Sequence, residues 1–494
     1  MNVFLKHNIL EVRLYCLGRV KSPKAETKTT CRRSMRLQRI DPLGIPLQES
    51  EAKVESPVEE EHARLPPGPH PMVATVQEPE TDTFLSMWAK ISQVEGKKSE
   101  KSSCNLESYK ARLHGMVLRE EHVAKVVTSR IYSVAVHPSE SRTLVAAGDK
   151  WGQIGLWDLD SSLENGAYVF IPHSQAVSCL HFSPINPAHL LSLSHDGTLR
   201  SGDVTRRVFE EIYRNESHSL SSFDFLASDA STLVVGMWDG NVAIVDRRTP
   251  IPSPEISVDL HSKTRTVHVH PVSRQYFVAA GERLPLRIRH RHHHHQVPLS
   301  ISPLLPGYRT FLPSSTSEHP ALWLYPKALG PAGSAITYTN VCSTRLGVVM
   351  QHARNSTDLI NVSIYDARHL KSRSQPVVAL NGHSKSVASA YFSPVTGNRI
   401  VTTCADDTLR HNNNTGRWLT RFQAVWDPKR DDCFVVGSMT RPRQIQAFHT
   451  SGELLYSFLN EDYLNSVCSI NSWHPTRFLV AGGNSSGRLH VFKE

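Results

Sequence analysis

A unit of three short β-forming runs, first met at Ile131–Asp158 and then repeated, constrains this chain more than any other feature. In IYSVAVHPSESRTLVAAGDKWGQIGLWD, Ile131, Ser133 and Ala135 alternate with Tyr132, Val134 and Val136, so both faces of the first run are largely apolar and both must be covered. His137-Pro138 ends that run, because proline has no N–H to give to a strand ladder. Thr143–Ala147 is a second run and ends at Gly148-Asp149-Lys150-Trp151-Gly152, a glycine-bracketed turn. Gln153–Trp157 is a third and closes on Asp158. The pattern recurs over Val177–Val204 with the turn His195-Asp196-Gly197, and over Leu220–Asp246 with Trp238-Asp239-Gly240. Thr266–Gly281 opens a fourth unit with His270-Pro271, and Gly382–Arg410 gives a fifth with Phe392-Ser393-Pro394. Phe422–Phe448 and Val467–Phe492 complete the series with Trp426-Asp427-Pro428 and Trp473-His474-Pro475.

Seven such units, spaced by roughly 40 residues and carrying a terminal Trp157-Asp158, predict an all-β, seven-bladed WD-repeat β-propeller over residues 113–494. The seventh unit stops after its third run, so Met116–Val127 is expected to add the fourth strand and close the ring, which removes open sheet edges. Residues 1–112 read as a disordered tail, since Pro, Glu, Ser and Lys dominate Ser50–Pro79 and no hydrophobic period repays the entropy of ordering. Two segments stand out from that tail. Arg32–Arg39 is a basic cluster, either a nuclear import signal or phosphate-binding arm, or simply a solvated charge run. Phe84, Trp88 and Ile91 fall on one helical face that would dock on the propeller or on a partner. Two places break the repeat. Residues 282–361 form an anomalous insert between the second and third strands of the fourth unit, where a short hairpin turn is normal. The fifth unit loses its pattern after Leu409-Arg410 and passes through His411–Asn414 into Thr415-Gly416-Arg417-Trp418. Both departures read as gene-model or splicing errors or, less favoured, as an isoform with an insert and a damaged blade.

The formal net charge of +9 points to an acidic partner such as nucleic acid. The 8 cysteines include no CxxC pair, which argues against a zinc site and a secreted disulfide framework and for a reducing compartment. No apolar run is long enough for a membrane span, so no membrane partner is expected. A phosphate-binding glycine loop, a zinc-ligand spacing and a nucleophile–base pair are all missing from the sequence. The expectation is therefore a non-enzyme with no cofactor, no metal and no small-molecule substrate. In a propeller, the turns between second and third strands share a face with the connections between blades. That puts Lys150, Trp151, His195, Trp238, Arg441 and Arg443 beside Arg130, Lys263, Arg265, Lys385, Arg417, Trp418 and Arg421. Basic side chains neutralise phosphates and aromatic rings stack on or wedge between bases, so this face is a candidate platform for double-stranded DNA or chromatin. Packing against a neighbouring blade is the competing reading for Trp151 and Trp238.

Four runs carry a closer resemblance: AAGDKWGQIGLWD (146–158), YFSPVTGNRIVTTCAD (391–406), TGRWLTRFQAVWDP (415–428) and HPTRFLVAGGNSSGRLHVF (474–492). On these the chain resembles the WD-repeat protein 76 family, related to DNA damage-binding protein 2. The resemblance implies a nuclear protein that binds damaged or modified DNA through one propeller face and associates with the cullin-4 ubiquitin ligase adaptor. It also suggests that Trp418, between Arg417 and Arg421, probes base-pair integrity. Tyr365-Asp366-Ala367-Arg368 resembles the aromatic-Asp-x-Arg box of cullin-4 substrate receptors, and Val245-Asp246-Arg247-Arg248 is a weaker match without the aromatic. The plainer reading is that these Asp residues order a turn. A protein-interaction scaffold whose basic face meets acidic proteins is the alternative function.

Overall fold

The computed structural model describes residues 64–75, 80–93, 105–161, 166–249, 256–260, 262–283, 337–342, 360–371, 374–381, 383, 386–404 and 419–494. Seven sheets surround one channel of about 680 Å³, and the first strand of every sheet contributes to its wall. Six sheets are complete antiparallel blades. Blade 1 runs through Ile131–Val136, Leu144–Asp149, Ile154–Asp158 and Ala167–Phe170. Blade 2 opens at Val177–Phe182, blade 3 at Leu220–Phe225, blade 4 at Ser262–Val269, blade 6 at Val425–Trp426 and blade 7 at Cys468–Trp473.

The expected seven complete blades are corrected to six. Among the described residues the fifth sheet holds only Val387–Phe392 and Arg399–Cys404 in antiparallel register, and Thr337–Cys342 from the insert pairs with Arg399–Cys404 in parallel. The reason is chain length. Between Asp149 and Val177, blade 1 fits two further strands and their turns, whereas Cys404 is followed by blade 6 at Val425. Residues 405–418 lie outside the described residues. In blade 4 the hairpin survives its insert, since Tyr276 still pairs with Asp366 and Ala280 with Val362.

Ring closure follows the sequence expectation. Val123–Lys125 pairs with Arg488–Lys493, with Val123 opposite His490 and Lys125 opposite Arg488, and Val117 bridges to Lys493. Neighbouring blades are also joined at one repeated place on their first strands. Ser133 Oγ donates to Val177 O at 2.6 Å, Ser222 Oγ to Val267 O at 3.3 Å and Thr266 Oγ1 to Ala388 O at 3.1 Å. At the fifth sheet the series turns inward, where Ser389 Oγ lies 2.8 Å from Thr403 Oγ1 and Thr403 Oγ1 donates to Phe422 O.

The predicted tail ends earlier than residue 112, because the compact unit runs from Ala63 to Glu494. His70–Pro71 adds a fifth strand to blade 2, pairing with Phe209 and Val208. Helix α1 (Thr81–Ser92) docks the face that sequence spacing singled out, with Phe84, Leu85 and Trp88 buried between blades 1 and 2. Phe84 stacks on Tyr168 at 4.2 Å between centroids, and Trp88 meets His137 at 5.6 Å and Phe182 at 5.9 Å. Guanidinium groups of blade 2 clip the segment in place. Arg200, fully buried and paired with Glu211 at 2.9 Å, donates to Gly68 O and Pro66 O, and Arg214 donates to Leu65 O. Arg207 holds Asp82 at 2.7 Å and Ser86 Oγ at 3.0 Å. Helix α2 (Leu106–Gly115), capped by Asn105, plants Tyr109 in blade 6, where its hydroxyl donates to Asp427 Oδ2 at 2.7 Å. Burial of these aromatic side chains repays the ordering entropy that composition alone suggested was too great.

Candidate nucleic-acid interface

The turns between second and third strands are built alike. An aspartate side chain accepts from the backbone two residues on, as Asp149 Oδ1 does from Trp151 N at 2.8 Å, Asp196 Oδ1 from Thr198 N and Asp239 Oδ1 from Asn241 N. Gly152 takes φ +86°, and a Cβ there would lie 2.1 Å from His173 O, so only glycine suits this place. The backbone ties each turn to a blade connection: Lys150 N donates to Arg130 O, His195 N to Ala176 O and Trp238 N to Ser219 O, each at 3.0 Å. Turns and connections therefore share a face, as expected from the sequence.

Within that face the candidate residues divide into two groups. On blades 1 to 4 they interlock. Arg130 lies over Tyr132 and donates to its hydroxyl at 2.8 Å, and Tyr132 meets His195 edge-on at 6.0 Å. His195 meets Trp238 edge-on at 5.5 Å, and Arg265 lies over Trp238 at 5.3 Å. Arg265 then pairs with Glu282 at 3.1 Å, with Lys263 at 4.0 Å from the same carboxylate. Burial pushes His195 down to about 4, so this row holds a neutral imidazole between its cations at neutral pH. Trp238 is thus a half-buried spacer between blades, which is the packing reading, and the Glu282 carboxylate is shared by Lys263 and Arg265 and offsets part of their charge.

The second group is open. Trp151 is 44% exposed, with Lys150 Nζ 4.3 Å from its ring centre. Arg421 and Arg441 are exposed, and half-buried Arg443 donates to Met439 O at 2.6 Å. None of Lys150, Arg421, Arg441 and Arg443 forms an ion pair with another described residue. Lys385, Arg417 and Trp418 lie outside the described residues.

On the opposite face the two Asp-x-Arg boxes share one geometry. Asp366 Oδ1 accepts from Arg368 N and Nε, both at 3.0 Å, and Asp366 Oδ2 accepts from Nη2 at 2.7 Å. Asp246 Oδ1 accepts from Arg248 N and Nε, both at 2.9 Å, and Asp246 Oδ2 from Nη2 at 2.5 Å. Hydrogen bonds from these guanidinium groups hold both carboxyls down at about 2. The arginines stay open to solvent, with side-chain exposures of 70% for Arg248 and 56% for Arg368. Each aspartate orders its turn and orients an exposed guanidinium at once. Tyr365, the aromatic of the first box, is buried against Phe277 at 5.6 Å.

No family model matches the chain. Among curated proteins it is 47% identical to WD repeat-containing protein 76 of Rhinolophus ferrumequinum, over 96% of this chain and 67% of that protein. The Xenopus laevis protein of the same name is also 47% identical, over 97% of this chain and 73% of its own length. The chain belongs to the WD repeat-containing protein 76 family. A more distant relative, DNA damage-binding protein cmr1 of Neurospora crassa, is 26% identical over 78% of this chain and 69% of that protein.

For this member of the WD repeat-containing protein 76 family, sequence reasoning missed two parts of the face. Tyr132 links Arg130 to His195, and its signal was the alternation of the first strand, which turns it away from its neighbours Ile131 and Ser133. Glu282 pairs with Lys263 and Arg265 and carried no signal, because it sits at the edge of the insert. Among the described residues no cluster of three or more His, Cys, Asp or Glu side chains could hold a metal ion, and no helix is long and apolar enough to cross a membrane.

Proposed function

We propose that this protein is a nuclear DNA- and chromatin-binding propeller that recognises damaged or modified DNA. The observation that carries the reading is a set of cations on the turn face, Lys150 beside exposed Trp151 on blade 1 and Arg421, Arg441 and Arg443 on blade 6, with no ion pair to another described residue. Lys and Arg side chains without ion pairs, on a face that also carries an exposed indole, suit a phosphate backbone and its bases. The name of the cmr1 relatives agrees with this chemistry. Titration of duplex binding against salt tests it, since each neutralised phosphate contributes about −0.9 to the slope of log K against log salt. A flat slope would leave the scaffold alternative, in which acidic proteins occupy the face.

A second activity, as substrate receptor or associate of the cullin-4 ubiquitin ligase, is supported by the twin boxes. Two adjacent blades present the same aspartate-oriented guanidinium on the face away from the DNA candidates. An arginine preset in this way loses little freedom when it meets an acceptor on a partner. Adaptor capture by the full chain, and its loss when both arginines are replaced, tests this part separately.

A further inference from the structure

Two basic residues that sequence reasoning did not select complete a pattern on blade 7. The closing strand pairs Lys125 directly with Arg488, and both side chains are exposed. Both lie at the strand ends that lead onto the turn face. Lys125 runs into the connection through Val126 to Arg130, where Val126 N donates to Gly487 O at 2.9 Å. Arg488 follows the turn whose Asn484 Oδ1 accepts from Ser486 N at 2.9 Å and from Arg488 N at 3.0 Å. Neither side chain forms an ion pair with another described residue. Like charges directly opposite on neighbouring strands repel. An anion over the pair would convert that repulsion into attraction.

Blade 7 stands between blade 6, with Arg421, Arg441 and Arg443, and blade 1, with Lys150 and Trp151. Basic side chains without carboxylate partners thus follow one another over three consecutive blades. The other side of the face is different in kind, since Lys263 and Arg265 share the Glu282 carboxylate, and His218 faces Asp239 at 3.2 Å. Exposed Glu461 and Asp462 sit on the connection from blade 6 to blade 7, within the arc, and form no ion pair with its cations among the described residues.

We propose that duplex DNA lies along this arc across blades 6, 7 and 1, off the channel axis, with Lys125 and Arg488 as phosphate-binding residues. The proposal rests on the DNA reading above and adds the path of the partner. Cations on three consecutive blades suit a backbone with one charge per about 1.7 Å of duplex axis. The interlocked row on blades 1 to 4 then acts as scaffold that stiffens the neighbouring connections.

The test compares duplex binding across salt for the full chain, for Lys125→Ala with Arg488→Ala, and for Arg206→Ala on the opposite face. The double variant should flatten the log–log slope by about 1.8, roughly 0.9 per lost phosphate contact, and the opposite-face variant should match the parent chain. A steep parent slope that survives in the double variant overturns the arc and leaves DNA binding standing. A parent chain without salt-dependent binding overturns the DNA reading itself. If the double variant does not fold, lysine acetylation of the parent chain with and without duplex decides the matter. Protection of Lys125 and Lys150 supports the path, whereas protection of Lys263 with Lys125 still reactive overturns it.

Discussion

Replacing Trp88 by alanine should cost this propeller a large part of its stability, although Trp88 lies in a segment whose composition resembles a tail. The indole is fully buried and packs on Phe84, Phe182 and His137. Its Nε1 has no hydrogen-bond partner among the described residues, so the loss is one of apolar burial and packing. Truncating a core Trp to Ala costs about 3–5 kcal/mol, from lost transfer energy and the cavity left behind. If α1 detaches as a consequence, the damage spreads. Buried Arg200 loses the Gly68 and Pro66 carbonyls that share its charge with Glu211, and an undercompensated buried charge adds a few kcal/mol. Chemical denaturation of the parent chain and the variant should show a lower midpoint, and limited proteolysis should cut the variant within residues 64–93. In the parent chain the resistant fragment should begin near Ala63. A variant with an unchanged midpoint and digestion pattern would refute the argument, as would a fragment beginning after Gly115 that keeps full stability.

Stability should also fall in mild acid. Burial depresses His137 to about 3 and His474 and His490 to about 4, so the folded state keeps them neutral while the unfolded chain takes up protons below about 6.5. Their contribution is complete above pH 6.5 and is lost as pH falls towards 4, by about 1.4 kcal/mol per pH unit for each, which thermal midpoints at pH 7.5 and 5.5 should register. Arg368→Ala together with Arg248→Ala should abolish adaptor co-purification and leave duplex affinity unchanged, and adaptor recovery at the parent level would remove the boxes from consideration. Trp418→Ala should narrow the affinity ratio between damaged and intact duplex by several-fold without altering the salt slope, because a wedging ring gains most where a pair is already weakened. An unchanged ratio would dismiss Trp418 as the probe.

Much of the ring was legible because its signals are local. Alternating apolar strands, X-Pro breaks after the first strands and Asp-Gly turns each act within a few residues, and Lys150, Trp151 and Trp238 reached the face assigned to them. Helix α1 was half legible: Phe84, Trp88 and Ile91 show a helical face, but its acceptor is formed by Tyr168, Phe182 and His137, which are far off in sequence. Electrostatic state was the least legible. Lys263 and Lys150 are indistinguishable in sequence, and only the fold brings Glu282 to the first and an exposed indole to the second. Lys125 and Arg488 carry no local signal, because their pairing spans the closure of the ring.

That closure also orders events in time. Val123–Lys125 leaves the ribosome long before Arg488–Lys493, the strand it pairs with, and every other blade is made in between. During synthesis the last blade cannot exist, and its waiting outer strand presents unpaired N–H and C=O groups to whatever else is near. The blades up to the sixth pair mainly within themselves and can form as they emerge, whereas the join between Val123–Lys125 and Arg488–Lys493 must wait for the later strand and pays the largest loop-closure entropy among the described strand pairings. Newly made copies should therefore pass through an open, sticky ring. A second copy in the same state offers each waiting strand an identical partner, so exchange between nascent chains is the natural fault of this topology.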